Sequence, residues 1–85
     1  MEKFTVELLV ENQPGVLNCI TGLYARRGYN IDSLFVNETE NPEFSRMLIC
    51  SHGDEYTQTQ MVRQLSKLHN IKEVSLMATV KPATP

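Results

Sequence analysis

The residues with the clearest capacity for chemistry lie in one short loop near the start of the chain. These loop residues, which lead directly into a segment with helical periodicity, are Asn12, Gln13, Pro14, Gly15, Val16 and Leu17. A helix N-terminus carries backbone N–H groups without partners, and its dipole favours a negative charge. Gly15 lets a ligand approach those groups, and the Asn12 amide offers an acceptor and two donors. The loop would therefore suit a free amino acid, with its carboxylate on the N–H groups and its amine on asparagine oxygens.

A plainer interpretation of the same loop involves no ligand. Asn12 can cap the helix with its own side chain, and Gly15 can be the glycine of a tight turn. Composition alone favours this plainer interpretation, because both residue types are common at helix starts for purely structural reasons.

The two cysteines give little sign of redox or metal chemistry. Cys19 and Cys50 do not form a C-x-x-C pair, and the N-terminus lacks the charged and apolar regions of a secretion signal. Isolated cysteines in such a chain are typically small buried residues in a reducing compartment. We therefore predict that both thiols are buried and that the protein is cytoplasmic.

The histidines and a group of acidic residues are also predicted to be structural. His52 falls near the end of a predicted strand and His69 in a predicted helix, and no serine or cysteine nucleophile is visibly paired with either. Glu38, Glu40 and Glu43 crowd a predicted turn, where a solvated acidic surface is a simpler explanation than a metal site. We therefore expect neither histidine catalysis nor a bound metal in this chain.

Length and charge limit the possible partners. A chain of 85 residues with 8 basic and 10 acidic side chains has a net charge of −2 and no basic field for nucleic acid or an anionic membrane. No window approaches the roughly 20 apolar residues of a membrane span. We expect one domain over residues 1–81, followed by a tail or truncated linker at residues 82–85.

Periodicity predicts the element order β-α-β-β-α-β. Four segments alternate as strands with one buried face do, over residues 3–10, 29–39, 44–51 and 71–81. Two segments between them carry one apolar stripe at helical spacing. Gly28 is predicted to end the first helix, while Asp54 begins the second helix as its N-cap and Asn70 ends it in the left-handed conformation.

This order predicts an α+β fold, the ferredoxin-like βαββαβ sandwich with a four-stranded antiparallel sheet and two helices on one face. The uncovered sheet face and the two edge strands favour pairing with a second copy. Other functions of this fold lack their residues here. A soft-metal chaperone needs two close thiolates, an RNA-binding module needs exposed aromatics in a basic surround, and an acylphosphatase needs an arginine in the first loop.

Two stretches of the sequence carry a family resemblance. Residues 8–17 resemble the start of an ACT domain, and residues 22–34 are similar to the small, regulatory subunit of acetolactate synthase (acetohydroxyacid synthase). The most specific part is the run from Arg26 through Gly28 to Ile31, and Arg46 with its neighbours and the end of the second helix match as well. The resemblance covers about residues 3–81.

The resemblance implies a regulatory role without catalysis. Such subunits bind a large catalytic subunit that uses thiamin diphosphate to condense two 2-oxoacids, raise its activity and make it sensitive to feedback by branched-chain amino acids, usually valine. No cofactor is therefore expected in this chain, and thiamin diphosphate and Mg²⁺ are expected in the catalytic partner.

The resemblance also implies a shared binding site. Two ACT domains would associate side by side as a homodimer, with the effector at their interface. Asn12 and Gly15 of one copy and Asn30 of the other would hold its amino and carboxylate groups. Val16, Leu17 and Ile31 would flank its side chain.

Two alternatives remain open on the sequence alone. One is a free-standing ACT sensor that binds an amino acid without a thiamin-dependent partner. The other is a purely structural dimerisation domain whose loop binds nothing.

Overall fold

The computed structural model describes residues 2–77, which form four strands and two helices. In chain order the elements are β1 (Lys3–Glu11), α1 (Val16–Arg26), β2 (Ser33–Glu38), β3 (Phe44–His52), α2 (Glu55–Ser66) and β4 (Ile71–Met77). The strands form one antiparallel sheet in the order β2-β3-β1-β4. The predicted α+β ferredoxin-like sandwich is confirmed. The predicted extension of β4 to residue 81 and the predicted tail at residues 82–85 lie outside the described residues.

The core lies between one face of the sheet and both helices. The inward residues of β1 alternate with half-exposed ones, and Phe4, Val6, Leu8 and Val10 are all buried. The buried apolar side chains of both helices pack in the same cluster, and these are Val16, Ile20, Leu23, Tyr24, Met61 and Leu65. Because full burial of a large apolar side chain contributes roughly 1.5–3 kcal/mol, this layer fixes the helices on the sheet.

A tight turn sets the start of α1. The Val16 N–H donates to the Gln13 carbonyl at 3.3 Å, which closes a four-residue turn with Pro14 and Gly15 in the middle. Gly15 has a φ of 88° and a ψ of −12°, which makes this a type II turn. Pro14 therefore lies in the turn that precedes the helix.

The end of α1 follows the predicted glycine stop. Gly28 has a φ of 72°, its N–H donates to Ala25 O at 3.1 Å, and the Tyr29 N–H donates to Tyr24 O at 2.9 Å. This pair of hydrogen bonds is a Schellman motif, in which a left-handed residue closes the last helical turn. Gly28 is thus confirmed as the residue that ends the helix.

The predicted start of β2 at residue 29 was wrong. The Tyr29 N–H closes the helix end, so the ladder with β3 begins only at Ser33. Leu34 packs against the core, whereas Phe35 lies on the uncovered sheet face with 60% of its area exposed. A period of two identifies alternate faces but does not say which face the helices cover.

The predicted start of α2 is confirmed and its predicted end was wrong. Asp54 caps the helix and accepts a hydrogen bond from the Thr57 N–H at 2.8 Å. The helix ends at Ser66 with a right-handed cap at Lys67, and Asn70 does not have a positive φ. The Leu68 N–H donates to Leu65 O at 3.1 Å in the turn beyond the helix, so the apolar stripe continues past the last helical residue.

The predicted burial of the thiols was also wrong. Cys19 lies exposed on α1, and Cys50 is half-buried on the uncovered face of the sheet. Both are free thiols. Their neighbours explain this, because Ile20 on the helix and Ile49 on the strand take the inward positions.

Candidate functional site

Two strands hold the first loop in place. β1 and β3 pair up to Glu11 and Phe44, and the Asn12 N–H continues the pairing by donating to Glu43 O at 2.7 Å. The Asn12 side-chain Nδ2 donates to Pro42 O at 3.2 Å. Asn12 therefore ties the loop to the β2–β3 hairpin and does not cap α1, so the plainer interpretation of this residue is wrong.

The N-terminus of α1 is open. Gly15 occupies the cap position, and within residues 2–77 no side chain accepts a hydrogen bond there and no acidic residue lies in the first turn. A Cβ atom placed on Gly15 would meet nothing within 4 Å. The N–H groups of Leu17 and Asn18 are thus left for a partner from outside, and space is available at Gly15 for one to approach.

A small apolar hollow adjoins this helix end. It has a volume of about 80 Å³ and is lined by Val10, Glu11, Asn12, Gln13, Val16, Leu17, Val36, Ser45 and Met47. Leu17 and Val36 form its rim and keep 44% and 51% of their areas exposed. Four of the predicted site residues thus surround one apolar depression. Sites for small molecules usually enclose about 300 Å³ or more, so this hollow by itself is smaller than such sites.

A second, polar hollow lies on the other side of the loop. Its volume is about 320 Å³, and its lining is Glu11, Asn12, Gln13, Pro42, Glu43 and Phe44. The loop therefore separates an apolar depression from one with two carboxylates, which suits a ligand that carries both an apolar side chain and an amine.

Asn30 and Ile31 lie at the opposite end of β2 from this loop. Asn30 is exposed, and Ile31 packs against the edge of the core. The end of β2 pairs with Ser45, beside the loop, whereas its start pairs with Cys50. Five residues of strand span roughly 16 Å, so a single copy does not bring Asn30 and Ile31 to the loop.

Both predicted asparagines have their amide NH₂ groups occupied. Asn12 Nδ2 donates to a backbone carbonyl, and Asn30 Nδ2 donates to Asp32 Oδ1 at 3.0 Å. A carbonyl or carboxylate oxygen can only accept, so these partners determine which end of each amide they meet. Both Oδ1 atoms are therefore left as acceptors, as the binding of an amine requires.

The sequence reasoning missed three residues around these positions. Val36 forms part of the apolar rim, and Asp32 contacts both Asn30 and His52 Nδ1. The exposure of Val36 follows from the order of strands, which places β2 at an edge. The Asp32–His52 pair follows from the register of β2 on β3, which no local pattern reveals.

Residues 6–73 match the family model described as the AHAS small subunit-like ACT domain. The chain belongs to this family. The resemblance seen in the sequence is therefore confirmed.

Relatives of this ACT domain include archaeal and bacterial proteins. The "Probable acetolactate synthase small subunit" of Archaeoglobus fulgidus is 48% identical over 73 residues, which cover 86% of this chain and 46% of that protein. The "Acetolactate synthase isozyme 3 small subunit" of Escherichia coli is 44% identical over 70 residues, which cover 82% of this chain and 43% of that protein.

A solved structure of a protein with a similar name has a similar fold. The acetolactate synthase small subunit from Thermotoga maritima has a TM-score of 0.83 and 39% identity, and the match covers 89% of this chain and 47% of that one. The ACT domain described here thus spans about half the length of the relatives it matches.

The other polar features of residues 2–77 lie apart from the predicted site residues. A hollow of about 540 Å³ beside the β2–β3 hairpin contains none of the predicted site residues. In the described part of the chain, no three His, Cys, Asp or Glu side chains cluster as metal ligands would. Neither described helix combines the length and apolar character needed to cross a bilayer.

One buried polar pair lies inside the core. The hydroxyls of Tyr24 and Ser51 are buried, and neither reaches good hydrogen-bond geometry within residues 2–77. Burial raises the pKa of Tyr24 above its ordinary value, and the nearby Ser51 hydroxyl partly opposes this. The pair is remote from the first loop in the register of β3, so we assign it no part in the site.

Proposed function

We propose that this ACT domain is the effector-binding part of an acetolactate synthase regulatory subunit. It binds a branched-chain amino acid, valine first among them, and mediates feedback inhibition of branched-chain amino acid synthesis. Its partner is the large catalytic subunit, which carries thiamin diphosphate and Mg²⁺ and which this subunit activates. The names of the relatives support the choice of enzyme.

The observation that carries the proposal is the uncapped N-terminus of α1 beside an apolar hollow. A carboxylate on the free N–H groups of Leu17 and Asn18 would gain charge-assisted hydrogen bonds and a favourable helix dipole. From there a short branched side chain reaches the depression between Val16 and Val36. The acceptor oxygen of Asn12 lies on the same loop and suits the ammonium group.

Two copies complete the site. β2 is an edge strand, and all but one of its residues are exposed. When two such edges pair antiparallel about a two-fold axis, the start of each β2 lies beside the end of the other. Asn30 and Ile31 of one copy then approach the first loop of the second copy, which supplies the missing wall and a second acceptor oxygen.

Linkage explains how such a site regulates an enzyme. A ligand held by both copies favours the dimer geometry that fits it, and a catalytic subunit bound to the dimer senses the change. A coupling free energy of about 1–3 kcal/mol gives a 5–150-fold effect. Residues 2–77 thus supply the ligand-sensing element, while the response is read in the catalytic partner.

Calorimetric titration with valine, leucine and isoleucine tests the site. We expect heat of binding with at least valine, and weaker binding after Asn12→Ala or Asn30→Ala because each change removes one acceptor for the ammonium group. Ser33→Ala, on the uncovered face of β2, is the matched control and should leave the affinity unchanged. Absence of heat with all three amino acids would contradict the proposal.

Mixing the two variants tests whether the site is shared. A dimer of one Asn12→Ala copy and one Asn30→Ala copy has one site with both changes and one site with neither. In an equal mixture about a quarter of all sites should therefore regain native affinity, because two-fold symmetry makes the sites equivalent. If the mixture binds no better than either variant alone, both asparagines act within one copy and the shared site is wrong.

The activity of the catalytic subunit tests the regulatory part. Addition of this chain should raise the rate of acetolactate formation, and addition of valine should then lower it. An effect of valine in the absence of this chain would place the sensor elsewhere.

A further inference from the structure

We propose that Asp32, held by His52, is a positioning residue that fixes the Asn30 amide with its oxygen toward the ammonium group of the effector. This assignment rests on the proposed function and adds residues that orient Asn30 in the same site. It identifies two residues that do not contact the ligand and that set the affinity through Asn30.

The contacts form a chain across two strands. Asn30 Nδ2 donates to Asp32 Oδ1 at 3.0 Å, and the other oxygen of Asp32 contacts Nδ1 of His52. The Asp32 backbone is fixed as well, because its N–H donates to Cys50 O at 2.8 Å. The carboxylate is thus held from its own backbone and from the neighbouring strand before a ligand arrives.

Exposure explains why Asn30 needs a partner. Asn30 is a solvent-exposed residue just before β2, so packing does not fix its amide. A free amide would sample orientations that offer NH₂ as often as oxygen, and NH₂ repels an ammonium group. The carboxylate removes this ambiguity because it accepts hydrogen bonds only from the NH₂ end. A site oriented before binding loses less freedom when the ligand binds.

The same contacts indicate that Asp32 acts through Asn30 and does not contact the ligand itself. Each of its oxygens already has a partner among the described residues, and its side chain is only 23% exposed. Nδ1 of the His52 ring lies against the second oxygen of Asp32. His52 therefore holds the second oxygen and prevents the carboxylate from turning away from Asn30.

The first loop supports the same arrangement by a different route. Asn12 Nδ2 donates to Pro42 O at 3.2 Å, so a backbone carbonyl orients this amide. The backbone cannot be changed by a side-chain substitution, whereas the carboxylate that orients Asn30 can. The Asn30 half of the site is therefore the half that other residues can adjust.

A double-mutant cycle with L-valine as the ligand tests the assignment. We expect Asp32→Ala to weaken valine binding about tenfold in calorimetry, because Asn30 loses the acceptor that orients it. Asp32→Asn keeps an acceptor oxygen and should recover most of the affinity. In the Asn30→Ala background, Asp32→Ala should cause no further loss. His52→Ala should have the same direction as Asp32→Ala and a smaller size.

The controls separate positioning from folding. Ser33→Ala, the residue after Asp32, should leave valine affinity unchanged, and thermal melting of each variant without ligand records any loss of stability. Additive effects of Asp32→Ala and Asn30→Ala, or native affinity in Asp32→Ala, would overturn the assignment. If Asn30→Ala weakens binding in that experiment, the effector site itself still stands. Absence of valine binding to the unsubstituted chain would overturn both.

Discussion

The two helices of this domain begin in opposite ways. α2 is closed by its own chain, because Asp54 accepts a hydrogen bond from the Thr57 N–H at 2.8 Å and Glu55 adds a second negative charge in the first turn. α1 begins at Gly15 with no side-chain cap and no acid in its first turn. Both helices pack on the same sheet face, so the fold does not require the difference. The difference shows that the start of α1 can accept an anion from outside. At the start of α2, the side chains of Asp54 and Glu55 already supply the negative charge.

The glycines beside these two helix starts also differ, because one has free space beside it and the other does not. Gly15 needs a positive φ of 88°, and a Cβ atom there would meet nothing within 4 Å. Gly53 has no such φ, but a Cβ atom there would lie 2.6 Å from Thr57 Cγ2. The glycine at α2 thus allows close packing against the first turn, whereas the glycine at α1 shapes a turn and leaves space beside it.

The largest effect on stability should come from Gly53→Ala, which alters the start of α2. The added methyl group would press against Thr57 and displace the start of α2, so we expect a loss of about 1–3 kcal/mol in the free energy of unfolding. Urea denaturation measures it. Adding Thr57→Ser removes the nearest methyl group and should restore part of the loss. Native stability of Gly53→Ala would show that α2 has room to shift and that its closure is not tight.

The next effect, at α1, should separate binding from stability. Asn18→Asp places a carboxylate in the first turn, where we expect the carboxylate of valine. Valine affinity should fall about tenfold, or about 1.4 kcal/mol. The unliganded helix should gain roughly 0.3–1 kcal/mol from its dipole. Calorimetric titration and thermal melting measure the two changes, which should have opposite signs.

Two controls accompany this change. Asn18→Ala adds no charge, so it should lower the affinity far less than Asn18→Asp does. Glu55→Gln removes an acid from the first turn of α2 and should leave valine binding unaltered. Equal affinities of the native chain and Asn18→Asp would mean that the ligand carboxylate does not occupy the helix start, whatever the fold suggests.

The start of α2 and the end of α1 could be predicted from the sequence because the signals for both are local. Asp54 is followed three residues later by the N–H it caps, and Gly28 directly follows the helix it ends, so the chain itself displays both signals. The loop that leads into α1 could be predicted for the same reason. The start of β2 was missed because the Tyr29 N–H is used by the helix before it, which a period of two does not show.

The rest of the site depends on contacts far apart in sequence. His52 meets Asp32 only because β2 and β3 pair in the register that sets Ser33 opposite Cys50. Val36 becomes part of an apolar rim only because β2 is an edge strand next to β3. The proposed role of Asn30 came from the family resemblance, since its partner in the proposed site belongs to another copy. Local patterns cannot supply register, edge position or a second chain.

The smallest effect should be the response of α2 to acid. Hydrogen bonds from the Thr57 N–H and hydroxyl lower the pKa of Asp54 below its ordinary value. A carboxyl group with a lowered pKa in the folded state stabilises the fold above its unfolded pKa, and this contribution is lost as the pH falls through the folded pKa. Asp54→Ala should therefore be less stable than the native chain at neutral pH, and the difference should become smaller in strong acid, where the charge-dependent part of the cap is lost.

The comparison with α1 makes this last measurement informative. Urea denaturation at neutral and acid pH gives the difference between Asp54→Ala and the native chain. Asp54→Asn is the matched control, because its oxygen still caps the helix but does not titrate. Valine affinity of Asp54→Ala at neutral pH should equal that of the native chain, since this cap serves α2 alone. A loss of valine binding would mean that the two helix starts are coupled, and that the closed one contributes to the site at the open one.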